Sequence, residues 1–294
     1  MARKTGKSTK KRRRPDIGLQ ADAATDTGLV RAHNEDSFLV DRDLRFFVVS
    51  DGMGGHRAGA KASGIVVDVL ARVVSEQLAA RRGSRVDFSR VLDDAVRAAS
   101  GQVRATADKY PEYKGMGATV VACLIRRGLA WLVHMGDSRA YRLRENTFEL
   151  LTLDHSITTL LVGLGLITKE QSSVHPARNT ISRYVGMGSE FGPELQAEEL
   201  KAGDRLLLCS DGLTNMVGES RIGRVLWEEE EPAAACARLV QLANDAGGRD
   251  NITALAVHYG KASPAKRKKQ RIRVKRPARK RSRESLWRFI EDRV

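Results

Sequence analysis

Cysteine is nearly absent: Cys123, Cys209 and Cys236 are the whole complement of a 294-residue chain. Their number is odd, they lie far apart and each sits among apolar residues. That excludes a disulfide framework and any paired-cysteine metal motif, and it predicts reduced, buried thiols. Long apolar runs are missing too. Nowhere do about eighteen apolar residues follow one another, as a membrane-spanning helix would need. The basic N-terminus has no apolar stretch of the kind a secretory leader carries. Together these absences predict a soluble cytoplasmic protein, and no internal repeat is evident.

Acidic charge is in deficit, with 36 Asp and Glu against 51 Lys and Arg for a net charge of +15. The excess is confined to the ends. Residues 1–16 hold eight Lys and Arg and one Asp, residues 261–294 hold fifteen and three acids, and the remainder carries −4. A basic isoelectric point that belongs to two appendages says nothing about the charge of a central pocket. We therefore divide the chain into a basic arm at 1–16, a folded domain at 17–259 and a basic tail at 260–294. The arm, MARKTGKSTKKRRRP, has too few apolar residues to fold alone.

Within the domain, short strands are expected at 19–25, 38–40 and 46–49, followed by two amphipathic helices. Ile65, Val66, Val69, Leu70, Val73, Val74 and Leu78 recur at three- and four-residue steps, and a second stripe runs from Phe88 to Ala107. Strands at 118–125, 129–135, 139–143 and 148–151 are joined by tight turns, which implies antiparallel pairing. Residues 154–192 form a long irregular insertion, and such insertions are usually functional. Strands at 195–200 and 205–209, helices at 219–227 and 232–246 and a last strand at 252–257 complete the pattern. Helices in pairs and strands in runs predict α+β layering with antiparallel sheets.

What the chain does have is acid at the ends of buried strands. FFVVSDGMGGH (46–56) delivers Asp51 into a turn where Gly52, Gly54 and Gly55 let the backbone approach a ligand closely. LLLCSDG (206–212) delivers Asp211 in the same way. Asp250 precedes the last strand in GGRDNIT, Glu35 and Asp36 precede the strand at Phe38, and Asp137 lies in HMGDSRAY between two strands. Clustered carboxylates against buried strands repel one another unless a cation compensates them. Oxygen ligands without a nearby Cys or His pair select Mg²⁺ or Mn²⁺ over Zn²⁺. An isolated Asp-Gly at a strand end is also an ordinary turn.

Six segments in this order resemble the metal-dependent protein phosphatases of the PP2C (PPM) family: GLVRAHNED (28–36), VVSDGMGGH (48–56), GMGATVV (115–121), GDSRAYR (136–142), LCSDGLTNM (208–216) and RDNIT (249–253). DHS (154–156) with ARNTISRYVG (177–186) looks like the flap of the stand-alone bacterial members. The resemblance covers about residues 18–258. It implies a four-layer α-β-β-α sandwich of two antiparallel sheets flanked by helix pairs. It also implies hydrolysis of phosphoserine and phosphothreonine by a water shared between two Mn²⁺ or Mg²⁺ ions. Asp51 would bridge the ions with the Gly52 carbonyl as a further ligand, Asp211 and Asp250 would hold the first ion, and Glu35 and Asp36 would serve the second. Asp137 with Asp211 matches a weaker third position, and Arg31 matches the arginine that grips substrate phosphate. His56 is the candidate general acid for the leaving alkoxide, with metal-bound water as its competitor and a cap on the following helix as its other reading. Arg31 also has a second reading, as a surface arginine paired with Glu35 or Asp36. The partners implied are phosphoproteins, a serine/threonine kinase among them, met by a monomer. The rival from another class is an inactive phosphatase-like regulator that binds polyanions.

The tail departs from that domain. KASPAKRKKQRIRVKRPARKRSR (261–283) has two prolines and almost no apolar residues, so a flexible polycation is the default. Nucleic acid, an anionic membrane surface and an acidic protein are its candidate partners. Few aromatics are interleaved, so base stacking is not indicated. At helical spacing Leu286, Phe289 and Ile290 would share one face beside Trp287, as a segment expected to dock on the body or on a partner.

Overall fold

The computed structural model describes residues 18–55, 57–81, 86–188, 191–260 and 272–276. The element order is β1 (Leu19–Asp26), β2 (Asp36–Asp41), β3 (Phe46–Met53), α1 (Arg57–Ala80), α2 (Phe88–Lys109), β4 (Gly117–Ala118), β5 (Val120–Arg126), β6 (Leu129–Met135), β7 (Arg139–Arg144) and β8 (Thr147–Leu150). It continues with α3 (Ile157–Leu164), α4 (Lys169–Val174), β9 (Glu194–Glu199), β10 (Asp204–Cys209), α5 (Asp211–Thr214), α6 (Glu219–Glu228), α7 (Pro232–Asp245), β11 (Ile252–Tyr259) and β12 (Arg273–Lys275). One sheet runs β1-β11-β10-β7-β8-β12 and the other β2-β3-β5-β6-β9, with β4 beside β3.

The layering follows from strands that are apolar on both faces. Successive side chains of a strand point to opposite faces of its sheet. In β3, Phe46 and Val48 enter a core with α1 and α2, while Phe47 and Val49 enter a second core between the sheets. In β10, Leu206 and Leu208 join that central core, and Leu207 and Cys209 face α6 and α7 in a third. The result is helix pair, sheet, sheet, helix pair, an α-β-β-α sandwich as the resemblance implies. The helices start where local chemistry lets them: Asp87 caps α2 by accepting from the Ser89 and Arg90 amides. α1 begins at Arg57, eight residues before its apolar stripe, because its first turn carries small residues against β3: Ala58 and Gly59 are buried.

Two features depart from the sequence reading. The insertion is tied back to the body by paired bonds between Ala118 and Val185, at 3.1 and 2.8 Å, and closed on itself by a bridge between Ser156 and Ile181. The larger departure is in the tail, where residues 273–275 form β12, the only parallel pairing among the described strands, on the edge of β8. A flexible polycation was the expectation for this segment. It is overridden because Ile272 packs into the core between the sheet and α6, and Lys275 and Arg276 meet acids on the body. Among the described residues no helix is long and apolar enough to cross a membrane.

Candidate metal centre

In the register of β2 on β3, Asp36 lies directly opposite Asp51. Like charges so placed repel. β10 ends one residue before Ser210, so Asp211 opens α5, and Asp250 stands two residues ahead of β11. The two sheets are stitched together here. Asp36 Oδ2 accepts from Thr253 Oγ1 at 2.6 Å and from Ser210 Oγ at 2.8 Å, both across the sandwich. Asn251 Nδ2 donates to the carbonyls of Thr27 and His33 at 2.9 Å, and its Oδ1 accepts from the Glu35 amide at 2.8 Å. Acids carried on different sheets thereby meet at one end of the molecule.

Their titration reports the crowding. Burial pushes Asp51 well above the usual carboxylate range, and the charges of Asp36, Asp211, Asp137 and Asp250 push it further. Asp36 is raised to about 7 by burial, against the bonds from Thr253 and Ser210 and with Asp211 and Asp250. Asp137 is raised to about 8 by burial, Asp211 and Asp154. Burial and Asp250 raise Asp211. Five acids thus act on one another, and Asp36 Oδ1, Asp137 Oδ1 and Asp211 Oδ1 are buried with no hydrogen-bond partner among the described residues. Buried carboxylate oxygens that lack donors and sit in mutual repulsion fit hard divalent cations, and an all-oxygen set suits Mg²⁺ or Mn²⁺.

The remaining predicted residues surround this group. Arg31 Nη2 donates to Asp250 Oδ2 at 2.9 Å. Its hydrogen-bond partner is therefore Asp250 rather than Glu35 or Asp36, although Glu35 and Asp51 also act on its charge. Gly52 donates its N–H to the Glu35 carbonyl at 3.1 Å, and a side chain there would collide with Gly59 of α1. Glu35 carries its carboxylate against that same glycine. His56 lies outside the described residues.

Thr119 holds the backbone of Asp51. Its N–H donates to the Asp51 carbonyl at 2.8 Å, its Oγ1 accepts from the Asp51 N–H at 3.0 Å, and that Oγ1 also meets Ser138 Oγ at 2.7 Å. Asn215, one turn along from Asp211, donates to Asp211 Oδ2 at 3.0 Å. Sequence reasoning assigned no role to Asn215, Asn251, Ser210 or Thr253. The signal for Asn215 was its i,i+4 spacing from Asp211; nothing in the sequence announces bonds that cross between sheets.

Comparison with known proteins gives the geometry its context. Residues 30–244 match the family described as Protein phosphatase 2C. The chain belongs to the protein phosphatase 2C family. It is 39% identical over 256 residues to the serine/threonine protein phosphatase PstP of Mycobacterium tuberculosis, a match covering 85% of this chain and 48% of that protein. The chain thus spans about half the length of the PstP relatives it matches. It is 34% identical over 242 residues to the serine/threonine phosphatase stp of Listeria welshimeri, covering 81% of this chain and 95% of that one. Among solved structures, Mycobacterium tuberculosis PstP/Ppp aligns with a TM-score of 0.75 at 38% identity, over 83% of this chain and 99% of that one. The PstP catalytic domain in complex with two manganese ions aligns at 0.73 and 37%, with the same coverage.

A second polar cluster in this protein phosphatase 2C chain lies at the base of the insertion. His134 and His155 stack with ring centroids 4.7 Å apart, and Glu194 Oε1 is 3.2 Å from His155 Nε2. It resembles a two-histidine, one-carboxylate metal site, but the protons argue otherwise. His155 Nδ1 accepts from the Gly136 N–H at 3.1 Å, which puts the ring proton on Nε2. His134 Nε2 lies 3.0 Å from the Leu153 carbonyl, an acceptor that requires a proton there. Neither Nε2 then keeps a lone pair for a metal, and the cluster is a structural tie. The cysteines are structural as well: all three are buried, and burial pushes the Cys209 and Cys236 thiols up to about 12.

Proposed function

We propose that the chain is a Mn²⁺- or Mg²⁺-dependent phosphoprotein phosphatase acting on phosphoserine and phosphothreonine. The observation that carries this reading is the crowded, mutually repelling set Asp36, Asp51, Asp137, Asp211 and Asp250, with three buried carboxylate oxygens lacking donors among the described residues. Asp51 would be shared between two cations with the Gly52 carbonyl beside it, Asp211 and Asp250 would complete one position, and Glu35 and Asp36 would serve the other. Asp137 with Asp211 offers a third. When bound, such a pair supplies an activated water and offsets phosphate charge.

The chain's own residues bind and orient. Arg31 is half exposed, and a planar guanidinium suits bidentate contact with a phosphoryl group. Its bond to Asp250 aims it at the centre. Ser210 and Thr253 hold Asp36, Asn215 holds Asp211, and Thr119 holds the backbone of Asp51, so the carboxylates are positioned before any ligand arrives. His56 is the proposed proton donor to the leaving alkoxide. A serine/threonine kinase and its targets are the proposed partners, the cytoplasm the proposed location, and polyanions the proposed contacts of the basic ends. This reading is supported by PstP and stp, which bear the name serine/threonine phosphatase.

The test is hydrolysis of an aryl phosphate and a phosphothreonine peptide with Mn²⁺, with chelator, and in Asp51→Asn. Turnover should vanish with chelator. In the variant it should fall by more than about 100-fold, beyond the 10–100-fold that loss of an outer-sphere partner costs. Equal turnover in chelator and in Mn²⁺ would reject the reading.

A further inference from the structure

The segment Ile272–Arg276 lies outside the stretch that matches the family, yet it is built into the sheet. Arg273, Val274 and Lys275 pair in parallel with Thr147, Phe148 and Glu149, and the Arg273 N–H donates to the Asn146 carbonyl at 2.8 Å. Alternate residues go to opposite faces. Ile272 packs into the core beside Phe148 and α6, where a Cβ on Gly223 would lie 3.0 Å from its Cγ2. On the same face Arg276 Nη2 reaches Glu219 Oε2 at 3.7 Å, and on the other Lys275 Nζ meets Glu149 Oε1 at 2.7 Å. The acceptors are built in: Glu149 and Glu219 are only 14% and 15% exposed, Arg142 holds Glu149 at 2.6 Å, and Tyr141 donates to Glu219 at 3.3 Å.

The acceptor is thus a fixed groove with a sheet edge, an apolar niche and two acids. The occupant is held lightly by comparison. All three residues of β12 are exposed, and Lys275 and Arg276 are 61% and 53% exposed. Ion pairs at that exposure contribute little. Strand addition to a sheet edge takes its affinity from the main chain and its selectivity from alternate side-chain sites. The selectivity written here is apolar, basic, apolar, basic, basic.

We propose that the edge of β8 and the flank of α6 form a docking groove for a basic, alternately apolar peptide strand of a protein partner, guarded in cis by the chain's own Ile272–Arg276. The resident strand is tethered through residues 261–271, and a short tether sets an effective concentration on the order of 1 mM. A resident strand with an intrinsic dissociation constant of about 100 μM would then fill the groove about ten to one and reduce a partner strand's affinity about tenfold. The groove works independently of the metal centre, so its test does not depend on catalysis.

The probe is a fluorescent peptide with the sequence of residues 270–278, QRIRVKRPA. It is titrated into the full chain and into the full-chain variant Ile272→Ser/Arg273→Pro, which empties the niche and removes the first ladder N–H. The vacated variant should bind about tenfold more tightly, and adding Glu149→Lys should abolish that gain. In the native chain, saturating peptide should speed amide exchange at Arg273–Lys275 while Thr147–Leu150 stay protected; this arm holds even where the variant misfolds. Equal binding by native and vacated chains, or unchanged exchange at Arg273–Lys275 under saturating peptide, would overturn the proposal. So would a native dimer that the same substitutions dissociate, since the groove would then serve strand exchange between two copies.

Discussion

Asp51 is held in a conformation that suits it badly as a lone acid. It is partly buried, opposite Asp36, and feels three further carboxylates. Uncompensated buried charge costs stability, and sites that carry it trade stability for function. Asp51→Asn should therefore raise the unfolding temperature of the metal-free protein by about 2–8 °C, equivalent to about 1–2 kcal/mol. It should also remove the rise that Mn²⁺ gives the native chain. Thermal unfolding in chelator and in Mn²⁺ checks both, and a lower metal-free midpoint for the variant would show that repulsion is not what Asp51 contributes. His134 makes the opposite kind of prediction. Burial, and then His155, lower it to about 4, against Glu194, the Leu153 carbonyl and Asp154. The unfolded chain binds this proton near pH 6.5 and the folded chain only near 4, so the stability is complete above 6.5 and is lost as pH falls through 4. The loss is of order 3 kcal/mol. Urea unfolding across that window should show a slope that His134→Asn flattens.

At the level of elements, the doubly apolar strands decide the layering and the edge strand decides what happens to the tail. β3 and β10 could each be read as buried because their apolar runs are continuous, and both are flanked by partners on two faces. β8 is different, since its outer edge has unpaired backbone groups until β12 covers it, and open edges invite pairing. Gly223 is the element-scale control on that contact. A Cβ there would lie 2.9 Å from Phe148 Cγ and 3.0 Å from Ile272 Cγ2. Gly223→Val should cost about 1–3 kcal/mol through overpacking. In combination with Ile272→Ala the cost should be less than additive, because the two changes share one niche. A strictly additive double-mutant cycle in denaturant unfolding would place Ile272 elsewhere.

For the whole molecule, charge is divided between a mildly acidic body and two basic ends, and the tail touches the body through its charge and through Ile272. Truncation after Gly260 removes β12, leaves Glu149 and Glu219 without Lys275 and Arg276, and exposes the niche beside Phe148. Burying an aliphatic side chain contributes roughly 1.5–3 kcal/mol at full burial. Ile272 is partly buried, so the truncated chain should melt about 2–6 °C lower. Mn²⁺ should still stabilise it, because the truncation removes none of the residues that carry or hold the acids. Calorimetry of both chains with and without Mn²⁺ separates the two contributions.

The sequence by itself determined the acids and their settings. Asp51, Asp211 and Asp250 were legible because an apolar run ending in Asp-Gly, or an acid just ahead of one, is a local pattern, and strand and helix periods are local as well. The same locality placed α2, β6 and α7 almost to the residue. Tertiary structure alone decided which acids share one field, that Arg31 pairs with Asp250, and that Ser210 and Thr253 hold Asp36 from the opposite sheet. It also decided the fate of the tail. Residues 272–276 look like polycation in isolation, and what orders them is a niche, a sheet edge and two acids supplied by residues more than forty positions away in the chain. Bonds and cavities that exist only after distant strands have met leave no mark on the local pattern, which is why the ligand candidates could be read from the chain and their supports could not.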